Sequence, residues 1–440
     1  MKHYVVSLVR YEKPLESVRK AVEMAGGLPE LPPQAKVFIK PNIPFWERSF
    51  KKIMWGVVTT SRVIEDVVVL LKENGIDDIT IGEGPVTFKP RDWETAADAF
   101  STLGLDKLEK RYGIKYLNLL ERPFKKIDLD DGLALEFSVD ALTSDYIINL
   151  PVLKTQPQTK VSLGAKNLKG LLSFPSRKTC HNIDSARDLD YHIARLSAKL
   201  PPMFTLADGI YTLEYGPIFG KPRRSDILAA SRDLLSLDMV GAKLLGYEPY
   251  QVRHLAYMAE ERGRPLDLSD VEVSGEHIAD LASFHKSGLG YSENGTLPLV
   301  LERMGIKGLK IYQPDDSICS HCAPLFLMVT MAIATGWKGE PFDNVEMLTG
   351  KRMQPQPGMK KTILMGDCMC KAHKNNPAIR EMIPIKGCPP STKMALKAME
   401  GAGVDYNPDM LSGLGQIISL FSKRLEGRPE FDDSFYQAQE

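Results

Sequence analysis

Short β-branched runs alternate with amphipathic stretches through the first half of the chain, and almost every run stops at a Gly, Pro, Asn or Asp turn. Residues 5–9, 37–39, 79–81, 146–150 and 204–207 read as strands, and residues 17–25 read as a helix. A longer helix follows the Thr60-Ser61 cap and runs to Glu73, with Val63, Ile64, Val67, Val68 and Leu71 at helical spacing before Asn74-Gly75 stops it. This alternation predicts an α/β fold, a mostly parallel or mixed sheet flanked by helices. The turns Lys40-Pro41-Asn42, Gly82-Glu83-Gly84-Pro85 and Asp208-Gly209 then fall at the carboxyl ends of strands, where open α/β sheets bind ligands.

The cysteines define a second region. Five of six lie between Cys319 and Cys388, as Cys319-x-x-Cys322, Gly366-Asp367-Cys368-Met369-Cys370 and Gly387-Cys388-Pro389-Pro390. A two-residue gap turns both thiolates of a pair toward one metal, and strand-end loops can bring two more. Residues 362–365 and 382–385 read as strands ending at Cys368 and Cys388, and Ser391 suits the start of a helix through Met399. The predicted ligands are Cys319, Cys322, Cys368 and Cys388, with Cys370 as the spare. A [4Fe-4S] cluster is the favoured occupant, because zinc ribbons use two knuckle pairs and this chain has one; structural zinc is the alternative.

At 440 residues the chain exceeds one small core, given roughly 150 residues per domain. The expected division is an α/β domain over 1–308, a smaller α/β cysteine-rich metal-binding region over 309–427 and a flexible tail over 428–440, polar and acidic. Lys+Arg and Asp+Glu are equal at 56 each, so no global field favours nucleic acid or a membrane. The apolar run 323–337 is shorter than the roughly 20 residues of a membrane span and reads as a buried helix. The amino terminus shows no secretory signal, so a cytoplasmic location is expected, where clustered cysteines serve as metal ligands more than disulfides.

Lys40, Lys154, Lys160, Lys166 and Lys169 stand near strand ends or Gly-containing loops, with Arg177 and Lys178 close behind. Ammonium groups and backbone N–H donors in such loops hold carboxylate or phosphate. Cys180-His181 adds a thiol and an imidazole, either of which can move a proton. The dinucleotide and Walker loops, the zinc-protease helix motif and a basic aromatic stripe are all missing from the sequence.

The blocks Lys40-Pro41-Asn42, 149–155, 160–170 with its Lys166-Asn167-Leu168-Lys169-Gly170 core, His181, Asp208-Gly209, Gly216-Pro217, and Asp233 with Asp238 resemble the family called domain of unknown function 362, over roughly residues 35–250. The chain departs from the family pattern at Lys154-Thr155-Gln156, where Lys-Thr-His is expected, and at the bulkier Glu214-Tyr215-Gly216-Pro217 turn. The resemblance implies a fold and a site more than a reaction, with the cysteines as an iron–sulfur appendage of the Gly-Cys-Pro-Pro type. Together these readings predict an iron–sulfur redox enzyme acting on a small anionic substrate, with an electron-transfer protein as partner. His181, Lys166 and Lys154 are the candidate catalytic residues, and Lys40, Asn42, Asn167, Lys169 and Asp208 the candidate substrate ligands. A non-redox isomerase or transferase with structural zinc, and a non-catalytic electron carrier, are the competing readings.

Overall fold

The computed structural model describes residues 3–52, 54–87, 92–130 and 132–439. It is an α/β protein whose large sheet is mixed. Its parallel half runs Met203–Glu214, Tyr146–Leu150, Val37–Pro41, Ile79–Glu83 and Lys115–Asn118, side by side. Beyond Met203–Glu214 the strands Lys221–Ser231 and Tyr4–Arg10 pair antiparallel, and Val271–Gly275 closes the edge parallel to Tyr4–Arg10. Val37–Pro41 and Tyr146–Leu150 are buried along their whole length, as expected for strands covered on both faces.

A second sheet of four parallel strands, Leu309–Ile311, Val345–Leu348, Lys361–Met365 and Glu381–Ile385, lies in simple sequence order. One apolar core runs from Val58 and Ile210 beside the large sheet to Ile311, Met347 and Met365 of the small one. The helix Cys322–Gly336 belongs to the small-sheet region, and among the described residues no helix is long and apolar enough to cross a membrane.

Local chemistry explains the main helices. Thr60 caps Ser61–Glu73, its hydroxyl accepting from Val63 N at 3.3 Å, and Gly75 takes the left-handed φ of +77° just beyond. Asp233 caps Leu234–Leu244 by accepting from Ser236 N at 2.8 Å.

Two expectations need correction. Asp208-Gly209 does not end a strand; Met203–Glu214 continues through it with a register shift between Gly209 and Tyr211. A Cβ at Gly209 would lie 2.6 Å from Leu153 Cδ1 and 2.9 Å from Ile227 O, so glycine is there for close approach, not for a turn. The acidic tail is not frayed: Tyr436 is 1% exposed, its ring stacked on Tyr211 at 6.1 Å and its hydroxyl accepting from Gly56 N at 3.2 Å. Phe431 and Phe435 join the same aromatic cluster, so apolar burial outweighs the polarity of their neighbours.

Candidate functional site: a lysine-lined cavity beside four thiols

The carboxyl ends of the parallel strands meet a short helix, Gly164–Asn167, whose first amides are held by one carboxylate. Asp238 accepts from Gly164 N at 2.7 Å and Ala165 N at 2.8 Å, and burial pushes its acid up to about 6. That clamp fixes Lys166 and Asn167 in the lining of a cavity of about 560 Å³. Asn42, Lys154, Lys166, Asn167, Lys169 and His181 line it, bringing six of the eight predicted cleft residues together.

The floor is a closed polar network. Lys40 is fully buried, and its ammonium donates to Glu83 Oε2 at 2.5 Å and Pro41 O at 2.7 Å. Glu83 also accepts from Ile43 N at 3.1 Å and Gly84 N at 2.8 Å. Lys154 donates to Asn42 Oδ1 and Val57 O, both at 2.5 Å, while Asn42 Nδ2 donates to Asn167 Oδ1 at 2.9 Å. Burial lowers both lysines' basicity; Glu83 counteracts it for Lys40, and Lys166 deepens it for Lys154. Lys40 therefore sits behind the cavity wall with its charge matched, and not in the lining where a substrate ligand was expected.

The wall beside this floor is different. Among the described residues the Lys166 ammonium has no hydrogen-bond or ion-pair partner; burial, with help from Lys169, pushes it down to about 7. Lys169 Nζ lies 2.7 Å from His181 Nε2 and is pushed down to about 8 by burial. His181 Nδ1 faces Asp316 O at 2.8 Å, and since a carbonyl only accepts, the proton is on Nδ1 and Nε2 accepts from Lys169. Burial and the surrounding lysines hold His181 neutral, well below its usual range. Arg177 spends its guanidinium on the carbonyls of Leu172, Gly84 and Gly170, at 2.9, 2.7 and 2.6 Å. Cys180 is buried beside Lys169 but outside the cavity lining, its thiol pushed up to about 11 by burial.

Asp208, also predicted as a substrate ligand, is absent from the lining. Its carboxylate accepts from Thr60 N at 2.7 Å and Ile210 N at 3.1 Å and so binds the strand to the helix cap. Glu83 is the residue that local reading leaves out of the site, whereas Arg177, expected among the cations there, lines it with its charge spent on carbonyls. An acid between two glycines at the end of a buried strand was the available signal for Glu83. Gly170 completes the explanation: a Cβ there would meet Glu83 Oε1 and Lys40 Nζ, each at 2.7 Å, so glycine lets the Lys-Asn-Leu-Lys-Gly turn press onto the ion pair.

The cysteines gather at the carboxyl edge of the small sheet. Cys319 and Cys322 follow its first strand, Cys368 opens the short helix Asp367–Ala372, and Cys388 follows Glu381–Ile385. The Cys319 thiol is lowered to about 5, first by the Cys322 thiol that donates to it and then by the backbone N–H groups of Cys322 and His321; Cys322 is raised by the same contact. Cys368 and Cys388 both raise Cys322 electrostatically, and Cys319 and Cys388 raise Cys368, so these four sulfurs share one neighbourhood. Gly366 leaves room for them at φ +91°: a Cβ there would stand 3.1 Å from Cys322 Sγ and 3.7 Å from Cys368 Sγ. Cys370 turns away, facing Leu364 O at 3.6 Å. Cys368 faces Gly350 O at 3.4 Å, and among the described residues no three His, Cys, Asp or Glu side chains already stand in metal-holding geometry.

Thiols and cavity adjoin. Ile318, Ser320, Ala323 and Pro324, which flank Cys319 and Cys322, line the cavity wall. Gln158 Nε2 donates to Ile318 O at 2.5 Å, and Arg352 Nη2 donates to Asp316 at 2.8 Å and to Asn182 O at 3.3 Å, fastening the cysteine loop to the turn at Gln158 and to the His181 segment. Lys178 Nζ lies 3.2 Å from Cys388 Sγ, and Lys351 donates to the Lys178 carbonyl at 3.2 Å, so cations surround the sulfur group.

Comparison with known proteins bears on the cleft. A thylakoid-associated protein of Synechocystis sp. is 27% identical over 253 residues, 56% of this chain and 74% of that protein. The lactate racemase apoprotein from Thermoanaerobacterium thermosaccharolyticum superposes with a TM-score of 0.35 and 13% identity, over 56% of this chain and 57% of that one. Residues 37–243, which supply every lysine of the cavity but none of the four clustered thiols, match the family described as Domain of unknown function (DUF362).

Proposed function

We propose that the chain is an iron–sulfur protein, a redox enzyme that binds a small anionic substrate in the lysine-lined cavity, with Cys319, Cys322, Cys368 and Cys388 holding a [4Fe-4S] cluster. The observation that carries this reading is the shared neighbourhood of those four sulfurs beside a cavity walled by unmatched cations. The donor set fits: four soft sulfurs, a glycine that clears space between two of them, and lysines whose charge suits an anionic cluster. When bound, such a cluster supplies single electrons.

The chain's own residues do the rest. Lys169, held by His181, presents a charged ammonium to the substrate's anionic group, and Asn42, fixed by Asn167 through one N–H of its amide, turns the other N–H to that group from the floor. Lys166, near 7, releases or accepts a proton at neutral pH at little cost. The carboxyl edge with Cys368 and Cys388 exposed is where an electron-transfer partner would approach, in a reducing cytoplasm.

Lys166 also favours a second reading, a non-redox isomerase or transferase in which it is the base and the cysteines hold structural zinc. Metal analysis and a visible spectrum of anaerobically purified protein separate the two. Iron with matching acid-labile sulfide and broad visible absorption is expected; colourless zinc protein, or protein without metal, overturns the first reading. Cys388→Ser should lose the metal and Cys370→Ser should keep it.

A further inference from the structure

The helix Cys322–Gly336 is apolar on every side, yet only one of its faces is packed away. Leu325, Met328, Val329, Ala332 and Ile333 are each at most 3% exposed and belong to the core. Ala323, Phe326, Leu327 and Met331 fall at the spacing of a single helical stripe, are only partly buried, and line the cavity. Phe219, on the loop before Lys221–Ser231, and Phe421, on the helix Leu414–Ser422, line the same space and are also only half-covered. The cavity lining is thus of two kinds: the ammonium groups of Lys166 and Lys169, neither ion-paired among the described residues, and partly exposed aliphatic and aromatic surface.

We infer that the cavity takes an amphipathic monoanion, a carboxylate head at Lys166 and Lys169 with an apolar body lying along the Ala323–Phe326–Leu327–Met331 stripe. The head-group half of this inference rests on the anion site proposed above. The body follows from apolar area left open in a concave space, whose burial drives binding, and from a volume in the ordinary range for organic ligands. A small hydrophilic anion would fill the lysine end and leave that stripe wet. One head suffices, because the other cations of the lining are engaged: Lys154 by Asn42 and the Val57 carbonyl, Arg177 by three carbonyls, and Arg424 by Gly220 O at 3.1 Å and the Phe421 ring at 4.2 Å.

Calorimetric titration of the full-length protein, purified anaerobically with its metal retained, tests the inference with acetate, butanoate, hexanoate, octanoate, 1-octanol and suberate as probes. Affinity should rise about fourfold per added methylene, octanoate should exceed octanol by at least about tenfold, and suberate should bind no more tightly than octanoate. Phe326→Ala should flatten the chain-length dependence while leaving acetate unchanged, and Leu327→Ala serves the same purpose should the first variant fail to fold. Equal binding of acetate and octanoate overturns the inference and leaves the anion site standing. Octanol equal to octanoate, or suberate the tightest, also overturns it. No binding of any carboxylate removes both the anion site and the inference, whereas an iron–sulfur reading that fails on metal analysis leaves the chain-length result intact.

Discussion

The floor and the wall of the cavity both bury lysines, but only the floor balances them. Lys40 has Glu83, and Lys154 has Asn42 and the Val57 carbonyl. Lys166 has no hydrogen-bond or ion-pair partner among the described residues and feels only the more distant Asp190, and Lys169 hydrogen-bonds a neutral imidazole, with Cys180 and Cys319 as its opposing electrostatic neighbours. A buried cation with its counter-charge inside the protein serves the fold, because removing either member strands the other. A cation left unmatched at a cavity lowers stability and gains by meeting an anion from outside.

Breaking the floor should give the largest effect. Glu83→Ala leaves Lys40 fully buried without its carboxylate, and we expect a loss of about 3–5 kcal/mol in chemical denaturation. Lys40→Met combined with Glu83→Gln should recover most of that loss, since the stranded charge is gone. A single Glu83→Ala as stable as the parent would show that the floor and the wall do not differ.

Breaking the wall should act on binding and not on folding. Lys166→Met removes a charge-assisted bond to the anionic ligand worth about 1.5–3 kcal/mol, so inorganic phosphate or octanoate should bind roughly tenfold to a hundredfold more weakly in calorimetry. Stability should hold or increase, because an unpaired, half-buried cation has been replaced by an apolar chain of similar length. Wild-type affinity in this variant would move the anion site elsewhere.

Asp208 sharpens the comparison from a third position. Its carboxylate is spent on the amides of Thr60 and Ile210, so Asp208→Ala should cost about 1–3 kcal/mol of stability by leaving buried donors unpaired. Anion affinity of the folded variant should equal that of the parent. A loss of affinity without loss of stability would return Asp208 to the site.

These contrasts also explain what the sequence discloses. Strands of β-branched residues, the Thr60 cap and the cysteine spacing are local signals, and the corresponding strands and helices form within a few residues of where those signals fall. Lys40 was legible as a strand-end lysine, but its partner Glu83 lies 43 positions away and reaches it only because parallel strands put their ends side by side. The same holds for Asp208: an Asp-Gly pair looks like a turn until the close approach of Leu153 and Ile227 shows why a glycine is needed in mid-strand. Residues 323–337 disclosed their apolarity but not that one stripe would face a cavity, since that depends on where Phe219 and Phe421 fold back.

The smallest effect is a pH dependence in which stability and binding run in opposite directions. Lys166 and Lys169 are lowered to about 7 and about 8, against about 10.4 for a lysine in the unfolded chain. Between those values the unfolded state carries more protons than the folded one, so stability rises with pH. The penalty is full below the folded values and lifts as pH climbs toward the unfolded one. Anion affinity needs the protonated ammonium and should fall over the same window. We therefore expect the melting temperature to increase from pH 7 to pH 9 while phosphate affinity decreases, and saturating phosphate to reduce the slope by holding the lysines charged. Lys166→Met should lessen both trends, which separates this lysine from the tyrosines and cysteines that also titrate at alkaline pH. A melting temperature that falls with pH in the parent by the same amount as in Lys166→Met would mean that the wall lysine is matched after all, and that the floor and the wall are built alike.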